Sequence, residues 1–271
     1  MTESAASLWT MATNPYVVAA VIGGNSLAIA LSVLFSAGAY PQPFSRALTY
    51  FGTGKLITAS GFAFIALRGE FPFPAMVIAG NILAFTGFCS NLLALWTLQH
   101  KPIRWFAPLS LLAANVAATC WFTLGAPDAN MLRVSTGLLS FMLSAVLAVE
   151  LLFRFNGGGR AHLLGGALAV AMALASLARI ASALNGGVLP VGQLSLSWVE
   201  RAFFAMAYIV ATMSALNFSM LSNDAFNGEL RRMAASDPLT GLPNRRRLME
   251  RGGDEARRAH RYRRPLAALV V

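Results

Sequence analysis

Long apolar segments separated by short polar stretches occupy most of the sequence. We predict seven helices, at residues 15–36, 48–67, 73–97, 105–124, 131–153, 162–184 and 198–221. Each has 20 or more residues, and about 20 helical residues cross the ~30 Å hydrocarbon layer of a membrane. The second segment is the weakest assignment because Lys55 lies well inside it. The pattern therefore predicts an all-α polytopic membrane protein with a membrane domain at residues 15–221.

The hydrophobic pattern changes near the end of the seventh segment. Six residues there are spaced alternately three and four positions apart, namely Leu216, Ser219, Asn223, Phe226, Leu230 and Met233. This spacing predicts a signalling helix at residues 216–236 that pairs with a second copy as a coiled coil, with Asn223 fixing the register. The seam is short and two of its positions are polar, so a plain amphipathic linker helix is the alternative.

Composition and charge support a membrane location. The sequence is 56% hydrophobic and 12% charged, whereas soluble domains carry about 25% charged residues. Of the net charge of +10, half comes from residues 222–271, where eleven Lys or Arg face six acids. We assign this basic segment to anionic lipid headgroups and not to nucleic acid, because no platform of aromatic side chains accompanies it.

The loops between the helices predict the orientation. Loops on one side contain five basic residues, Arg46, Lys101, Arg104, Arg154 and Arg160, and loops on the other side contain only Arg68. Lys and Arg are enriched on the cytoplasmic side, so we predict an external tail at residues 1–14 and a cytoplasmic C-terminus. The tryptophans fall near predicted segment ends, as aromatic belts require: Trp9, Trp96, Trp105, Trp121 and Trp198.

Four charged residues lie towards the predicted outer ends of the last three segments. They are Arg133, Arg179, Glu200 and Arg201. Intramembrane charges are costly and are functional candidates by default. Because arginine is in excess, we predict a polar pocket open to the outer side that binds a small anion, with a planar carboxylate favoured. The alternative is a structural Arg–Glu pair, with the other arginines facing headgroups.

Small residues and cysteines give further packing expectations. The sixth segment is rich in glycine and alanine, including Gly165, Gly166, Ala169 and Ala173, so we expect it at the centre of the bundle. Cys89 and Cys120 fall at different predicted depths, so we expect free buried thiols.

Other membrane chemistries lack their residues in this sequence. A retinal protein needs a lysine in the seventh segment, which has none, and a bis-histidine haem needs two facing histidines inside the bundle. His100, His162 and His260 lie at the predicted cytoplasmic ends or in the tail. No metal-ligand cluster is present, so we expect this chain to bind no metal and no cofactor.

The stretch after the signalling helix carries the most specific motif. Asp237-Pro-Leu-Thr-Gly-Leu-Pro-Asn-Arg-Arg-Arg-Leu248 combines a capping aspartate, a glycine free to adopt positive φ and a proline that begins a helix. It resembles the opening signature of the GGDEF family, the bacterial diguanylate cyclase domain. The matching residues are Asp237, Leu239, Thr240, Gly241, Leu242, Asn244 and Arg245.

This resemblance covers only residues 222–271, about the first quarter of such a domain. It implies that residues 237–271 begin an α/β domain, with a helix and then a first strand at Leu266–Val271. The family's first metal-binding Asp would fall just past Val271, and the named signature loop is missing. We therefore expect no catalytic residue and no cyclase activity in these 271 residues. Gly252-Gly253-Asp254-Glu255 spells part of that loop, but it falls in a helical stretch and is interpreted as a chance match.

The resemblance implies a signalling protein of the bacterial inner membrane. In this family two domains, each holding one GTP, meet in a homodimer and condense the GTP into cyclic di-GMP, with magnesium bridging carboxylates and phosphates. The expected partners are then membrane lipid, a second copy, GTP and an unknown small ligand.

Two other functions fit the sequence. One is a non-catalytic membrane receptor with a degenerate GGDEF domain. The other is a transporter-like bundle with a regulatory tail, for which Gly23-Gly24 and Gly52–Gly54 give weak hints of interrupted helices.

Overall fold

The computed structural model describes residues 13–68, 70–71, 74–155, 160–186, 193–233, 245–265 and 267. Eight α-helices occur in these residues: α1 (Pro15–Ala37), α2 (Phe44–Leu67), α3 (Pro74–Leu98), α4 (Phe106–Cys120), α5 (Ala129–Phe153), α6 (Ala161–Leu184), α7 (Trp198–Met233) and α8 (Arg245–Tyr262). A π-helical turn, Trp121–Gly125, continues α4. The described residues contain no strand, so the fold is all-α there, as predicted.

Seven of these helices are long and apolar enough to cross a membrane, namely α1 to α7, with α4 counted together with its π turn. Every predicted span is confirmed as a helix. α2 begins earlier than predicted, at Phe44, because the carbonyl oxygen of Pro43 accepts a hydrogen bond from the amide of Ala47 at 3.0 Å. The chain is thus suited to be a multi-pass membrane protein.

The chain divides into two compact units, Met1–Ser222 and Asn223–Val271. In the first unit, α2 and α3 pack at very short range. A Cβ added to Gly54 would lie 2.5 Å from the Cβ of Ser90, and one added to Gly61 would lie 2.8 Å from the Cα of Ala84. Small residues let helices approach closely in lipid, and half of the most apolar stretch of α2 is buried, more than in any other candidate span.

The prediction that the sixth helix lies at the bundle centre is wrong. The small residues of α6, including Gly165, Gly166 and Ala169, form one buried face. The opposite face is open, with Leu174 61% and Leu184 60% exposed. Glycine and alanine therefore mark a face that packs closely, which does not require neighbours on every side.

Two other sequence expectations are corrected by the first unit. α1 and α2 run without interruption through Gly23-Gly24 and Gly52–Gly54, so the hints of broken helices were wrong. Trp96 is only 4% exposed and packs in an apolar cluster with Leu92 and Leu139, so it does not join an interfacial belt.

The remaining expectations about tryptophan agree with the structure as far as it describes them, and those about cysteine agree in part. Trp105, Trp121 and Trp198 are exposed, while Trp9 lies outside the described residues. Cys89 and Cys120 are both free, as expected, but only Cys89 is buried; Cys120 is half-buried, so the expectation of a buried thiol is wrong there.

The second unit contains the end of α7 and the helix α8. α7 continues to Met233, which covers most of the predicted signalling helix. Gly252–Glu255 lie within α8, as the chance-match interpretation requires. Residues 237–244 of the signature motif lie outside the described residues, as does the predicted strand apart from Ala267, so the start of an α/β domain stays a prediction.

Candidate functional site

Charged side chains gather where α2 and α6 end and α3, α5 and α7 begin, which we call the Glu200 end of the bundle. Local capping fixes the helix starts that carry two of them. Asp128 accepts hydrogen bonds from the amides of Asn130 and Met131 at 2.9 and 3.0 Å. It thereby caps α5, whose first residue lies four positions before Arg133. The hydroxyl of Ser197 accepts from the amide of Glu200 at 3.3 Å at the start of α7.

Glu200 is fully buried and pairs with two arginines. Its Oε2 accepts from Nε and Nη2 of Arg133 at 3.3 and 3.1 Å, and its Oε1 accepts from Nε of Arg179 at 3.1 Å. Both carboxylate oxygens are therefore occupied. Arg133 is 5% and Arg179 8% exposed, so the three side chains form a buried cluster with one net positive charge.

Arg179 is held from three directions. Besides Glu200, its Nη1 donates to the hydroxyl of Thr136 at 3.1 Å, and its Cζ lies 4.7 Å from the ring centroid of Phe203. Contacts of this kind between guanidinium and an aromatic face are favourable, more so away from water. The orientation of Arg179 is thus fixed by α5 and α7 together.

A third buried arginine, Arg68, lies at the same end, just beyond the last residue of α2. It is 5% exposed, and its Nη2 donates to the carbonyl oxygen of Val77 on α3 at 2.9 Å. Its Nε is buried and has no hydrogen-bond partner among the described residues. Burial, with a further contribution from the positive charge of Arg179, lowers the pKa of Arg68 to about 10, so it still carries its charge at neutral pH.

Arg201, predicted as a member of the same pocket, lies outside this cluster. Its Nε donates to the carbonyl oxygen of Leu196 at 3.1 Å and its Nη1 to the hydroxyl of Thr13 at 3.0 Å. These bonds tie the start of α7 to the segment before α1. The structure therefore brings together Arg133, Arg179 and Glu200 of the predicted set, and it places Arg68 where Arg201 was expected.

A cavity of about 80 Å³ lies beside this cluster. Its polar lining residues are Arg68, Arg179, Asn81, Asn115, Thr136 and Ser140, and apolar residues including Phe62, Phe88 and Phe204 complete the wall. Asn115 is 1% exposed, and its Oδ1 has no partner among the described residues. The lining comes from α2 to α7, so the cavity is central to the Glu200 end.

The site predicted from the sequence did not include Asn81, Asn115 or Arg68, which all line the cavity. Both asparagines fall inside apolar segments, where polar side chains are rare and often functional. That signal was available in the sequence. The position of Arg68 in a predicted loop gave no comparable signal.

Lys55 is a fourth buried cation and has a different setting from the three arginines. It is 1% exposed, and its Nζ donates to the carbonyl oxygen of Ala211 at 3.1 Å and to the hydroxyl of Ser214 at 2.8 Å. Its Nζ also lies 5.2 Å from the ring centroid of Phe51. Because its polar partners both belong to α7, Lys55 acts as a polar link between α2 and α7.

A second group of paired charges lies at the opposite end of the bundle, around Glu150. Glu150 accepts from Nζ of Lys101 at 3.1 Å and from Nη1 of Arg154 at 3.0 Å, with the basic side chains 31% and 54% exposed. These residues also carry one net positive charge, but both basic side chains reach the surface, so they form an ordinary surface ion-pair group.

Metal binding finds no support in the part of the chain that the structure describes, where no group of three or more His, Cys, Asp or Glu side chains could hold an ion. The site is therefore defined by arginine and amide side chains. No protein-family model, curated protein or solved structure matches this chain.

Proposed function

We propose that this protein is a signalling protein of the bacterial inner membrane. In this proposal the seven-helix bundle detects a small ligand at the Glu200 end and controls a cytoplasmic GGDEF domain that begins at Asp237. The main support is the continuity of α7. This single helix carries Glu200 in its first turn and extends to Met233, four positions before Asp237.

The mechanism would operate through the pairing of two copies. Four residues of the predicted coiled-coil seam, Leu216, Ser219, Asn223 and Leu230, are exposed along α7. A ligand that changed the packing around Glu200 would shift or rotate α7, and the seam would carry that change to the paired GGDEF domains. Such a ligand must bind the two arrangements with different affinity to change their populations.

The alternatives differ in what the nucleotide-binding part does. A degenerate GGDEF domain would bind nucleotide without turnover, and the same bundle would then serve a receptor. The transporter alternative is less favoured, because transporter sites are typically built on discontinuous helices and α1 and α2 are continuous at the glycines that suggested otherwise.

Cyclic di-GMP formation tests the proposed enzyme. Full-length protein in lipid vesicles, incubated with GTP and Mg²⁺, is expected to yield cyclic di-GMP, and vesicles without protein provide the background. Saturable GTP binding without product would instead favour the degenerate receptor. If the protein neither binds GTP nor forms cyclic di-GMP, both GGDEF-based functions are overturned.

The proposed orientation has a direct test with fusions. Alkaline phosphatase is active only outside the cytoplasm, so a fusion after Gly186 is expected to be active and one after Phe155 inactive. The reason is that the basic residues Lys101, Arg104, Arg154 and Arg160 fall at the end of the bundle that contains Phe155. The reverse activities would place the Glu200 end in the cytoplasm and overturn the proposed orientation.

A further inference from the structure

The balance of charge at the Glu200 end is incomplete. Three buried arginines, Arg68, Arg133 and Arg179, share this end with one buried carboxylate, that of Glu200, whereas the other described acids there, Glu70 and Asp128, are exposed. Both oxygens of that carboxylate already accept from Arg133 and Arg179. Buried charges without compensation are strongly unfavourable, so an anion in the adjoining cavity would stabilise this arrangement.

Free donor groups line that cavity. A guanidinium has five N–H bonds; among the described residues Arg68 uses one, to the carbonyl oxygen of Val77, and its buried Nε has no partner. Arg179 is fixed by Glu200, Thr136 and Phe203, so it needs little reordering to receive a ligand. The planar fork of arginine matches the two oxygens of a carboxylate.

The amide of Asn115 adds a neutral polar group to the same cavity. It is nearly fully buried on α4, and its Oδ1 lacks a partner among the described residues. A half-turn about the Cβ–Cγ bond exchanges the positions of the amide oxygen and nitrogen. In that orientation Asn115 donates to a ligand oxygen in the cavity.

The size and the apolar wall restrict the anion further. A cavity of about 150 Å³ accommodates benzene, and this one measures about 80 Å³, so it suits a carboxylate smaller than benzene, of about two or three carbons. Phe62, Phe88 and Phe204 form part of the wall and would contact a short hydrocarbon group. Phosphate and sulfate offer no such group and would lose their hydration against these rings.

The geometry points to a binding site for a small organic monocarboxylate, held by Arg68 and Arg179 with Asn115, in the cavity at the Glu200 end. The binding site stands on the cavity itself, and only its role as the stimulus rests on the proposed function. Leu194 lines the cavity on the side of the loop before α7, and its amide donates to the hydroxyl of Tyr16 at 2.8 Å. Because Phe203 and Phe204 of α7 also line the cavity, a ligand there would contact both this loop and the start of α7.

Direct binding to the purified chain in detergent tests this site. Acetate and propionate are expected to raise the thermal midpoint saturably, whereas propionamide, a neutral isostere of propionate, has no effect at equal ionic strength. Inorganic phosphate is expected to bind more weakly than either carboxylate. An equal response to propionamide, a stronger response to phosphate, or no saturable response to carboxylates would overturn the proposal.

Matched arginine variants locate the binding. Arg68→Gln removes a charge-assisted contact worth about 1.5–3 kcal/mol and should weaken carboxylate binding by about 10- to 100-fold. Arg201→Gln, which alters an arginine at the same end outside the cavity, should leave affinity unchanged. If Arg68→Gln does not accumulate, Asn115→Leu provides the second variant, since it keeps every charge and should also weaken carboxylate binding by removing the amide. Unchanged affinity in the accumulating variant would contradict the site.

Binding and output separate the two proposals. Carboxylate binding without cyclic di-GMP formation by the full-length protein would leave the site in place and remove the proposed enzyme. Cyclic di-GMP formation without carboxylate binding would leave the proposed enzyme in place and remove the carboxylate site.

Discussion

Glu200→Gln should cost the bundle about 3–5 kcal/mol of stability, the range for breaking a buried ion pair. Glutamine keeps the shape of glutamate but removes the only carboxylate that Arg133 and Arg179 contact among the described residues. Both guanidiniums are at least nine-tenths buried, so neither reaches water without rearrangement of α5 or α6. A change of this size corresponds to a fall of about 10 °C in the thermal midpoint measured in detergent.

Glu150→Gln is the matched control. Glu150 also pairs with two basic residues, but Lys101 and Arg154 are 31% and 54% exposed and can turn to water. The expected loss there is about 1 kcal/mol or less. Equal losses in the two variants would show that burial of the arginines does not determine the effect.

A triple variant distinguishes the cost of unpaired charge from the loss of packing. Replacing Arg133, Arg179 and Glu200 together by methionine removes all three charges and keeps most of the volume. Apolar replacement of buried ionic groups is often neutral or stabilising, so this variant should be more stable than Glu200→Gln alone. A triple variant that is less stable than Glu200→Gln would mean that lost packing costs more stability than unpaired charge does.

Gly61→Leu should prevent normal packing of α2 against α3. An added Cβ would lie 2.8 Å from the backbone Cα of Ala84, closer than a Cβ contact tolerates. Because the obstacle is backbone, the helices themselves must separate, and we expect a loss of about 3 kcal/mol or more. Accumulation in the membrane and the thermal midpoint in detergent measure this loss.

Gly24→Leu is the control for the change of residue itself. Gly24 is an exposed helical glycine of α1, and nothing lies within 4 Å of an added Cβ. Since glycine is about 1 kcal/mol less favourable than alanine in a helix, this variant should be neutral or slightly stabilised. If Gly61→Leu is as stable as Gly24→Leu, the close contact of α2 and α3 is not a structural requirement.

The same packing positions Arg68. A Cβ on Gly80 of α3 would lie 2.9 Å from Nη2 of Arg68, so a glycine there leaves room for the guanidinium to reach Val77. Separation of α2 and α3 in Gly61→Leu would therefore also disturb the proposed carboxylate site. Gly24→Leu would leave it intact.

The two roles of the arginine cluster are compatible. Glu200 compensates Arg133 and Arg179 in part and holds the helices α5, α6 and α7 together. Arg68 adds a second buried positive charge to the one that this cluster retains, and no acid among the described residues pairs with it. The structural Arg–Glu pairing that the sequence offered as an alternative is therefore present beside the proposed ligand site. The Arg68→Gln variant tests the ligand site without breaking the Arg–Glu pairs.

The sequence alone determined the number and approximate limits of the apolar helices. Hydrophobic length is a property of the chain in one dimension, because a membrane span needs about 20 successive apolar residues whatever its neighbours are. The signature motif at Asp237–Leu248 is also a feature of sequence, and its assignment still rests there.

Helix geometry alone explains why Arg201 does not join the ion cluster. Neighbouring residues on an α-helix point about 100° apart, since a turn has 3.6 residues. Arg201 therefore faces away from the direction of Glu200 and bonds Leu196 and Thr13 instead. That outcome could have been predicted from the helix at residues 198–221.

Only the tertiary structure decided the place of Arg68. In the sequence it follows an apolar segment and reads as a loop residue, and nothing local indicates where its side chain turns. The close approach of α2 and α3 at Gly61 and Gly80 brings its guanidinium to Val77, and the side chain is buried as a result. The apolar pattern determines which residues form the apolar helices. The distances between helices depend on contacts between residues far apart in the chain, and those distances determine which charged side chains meet.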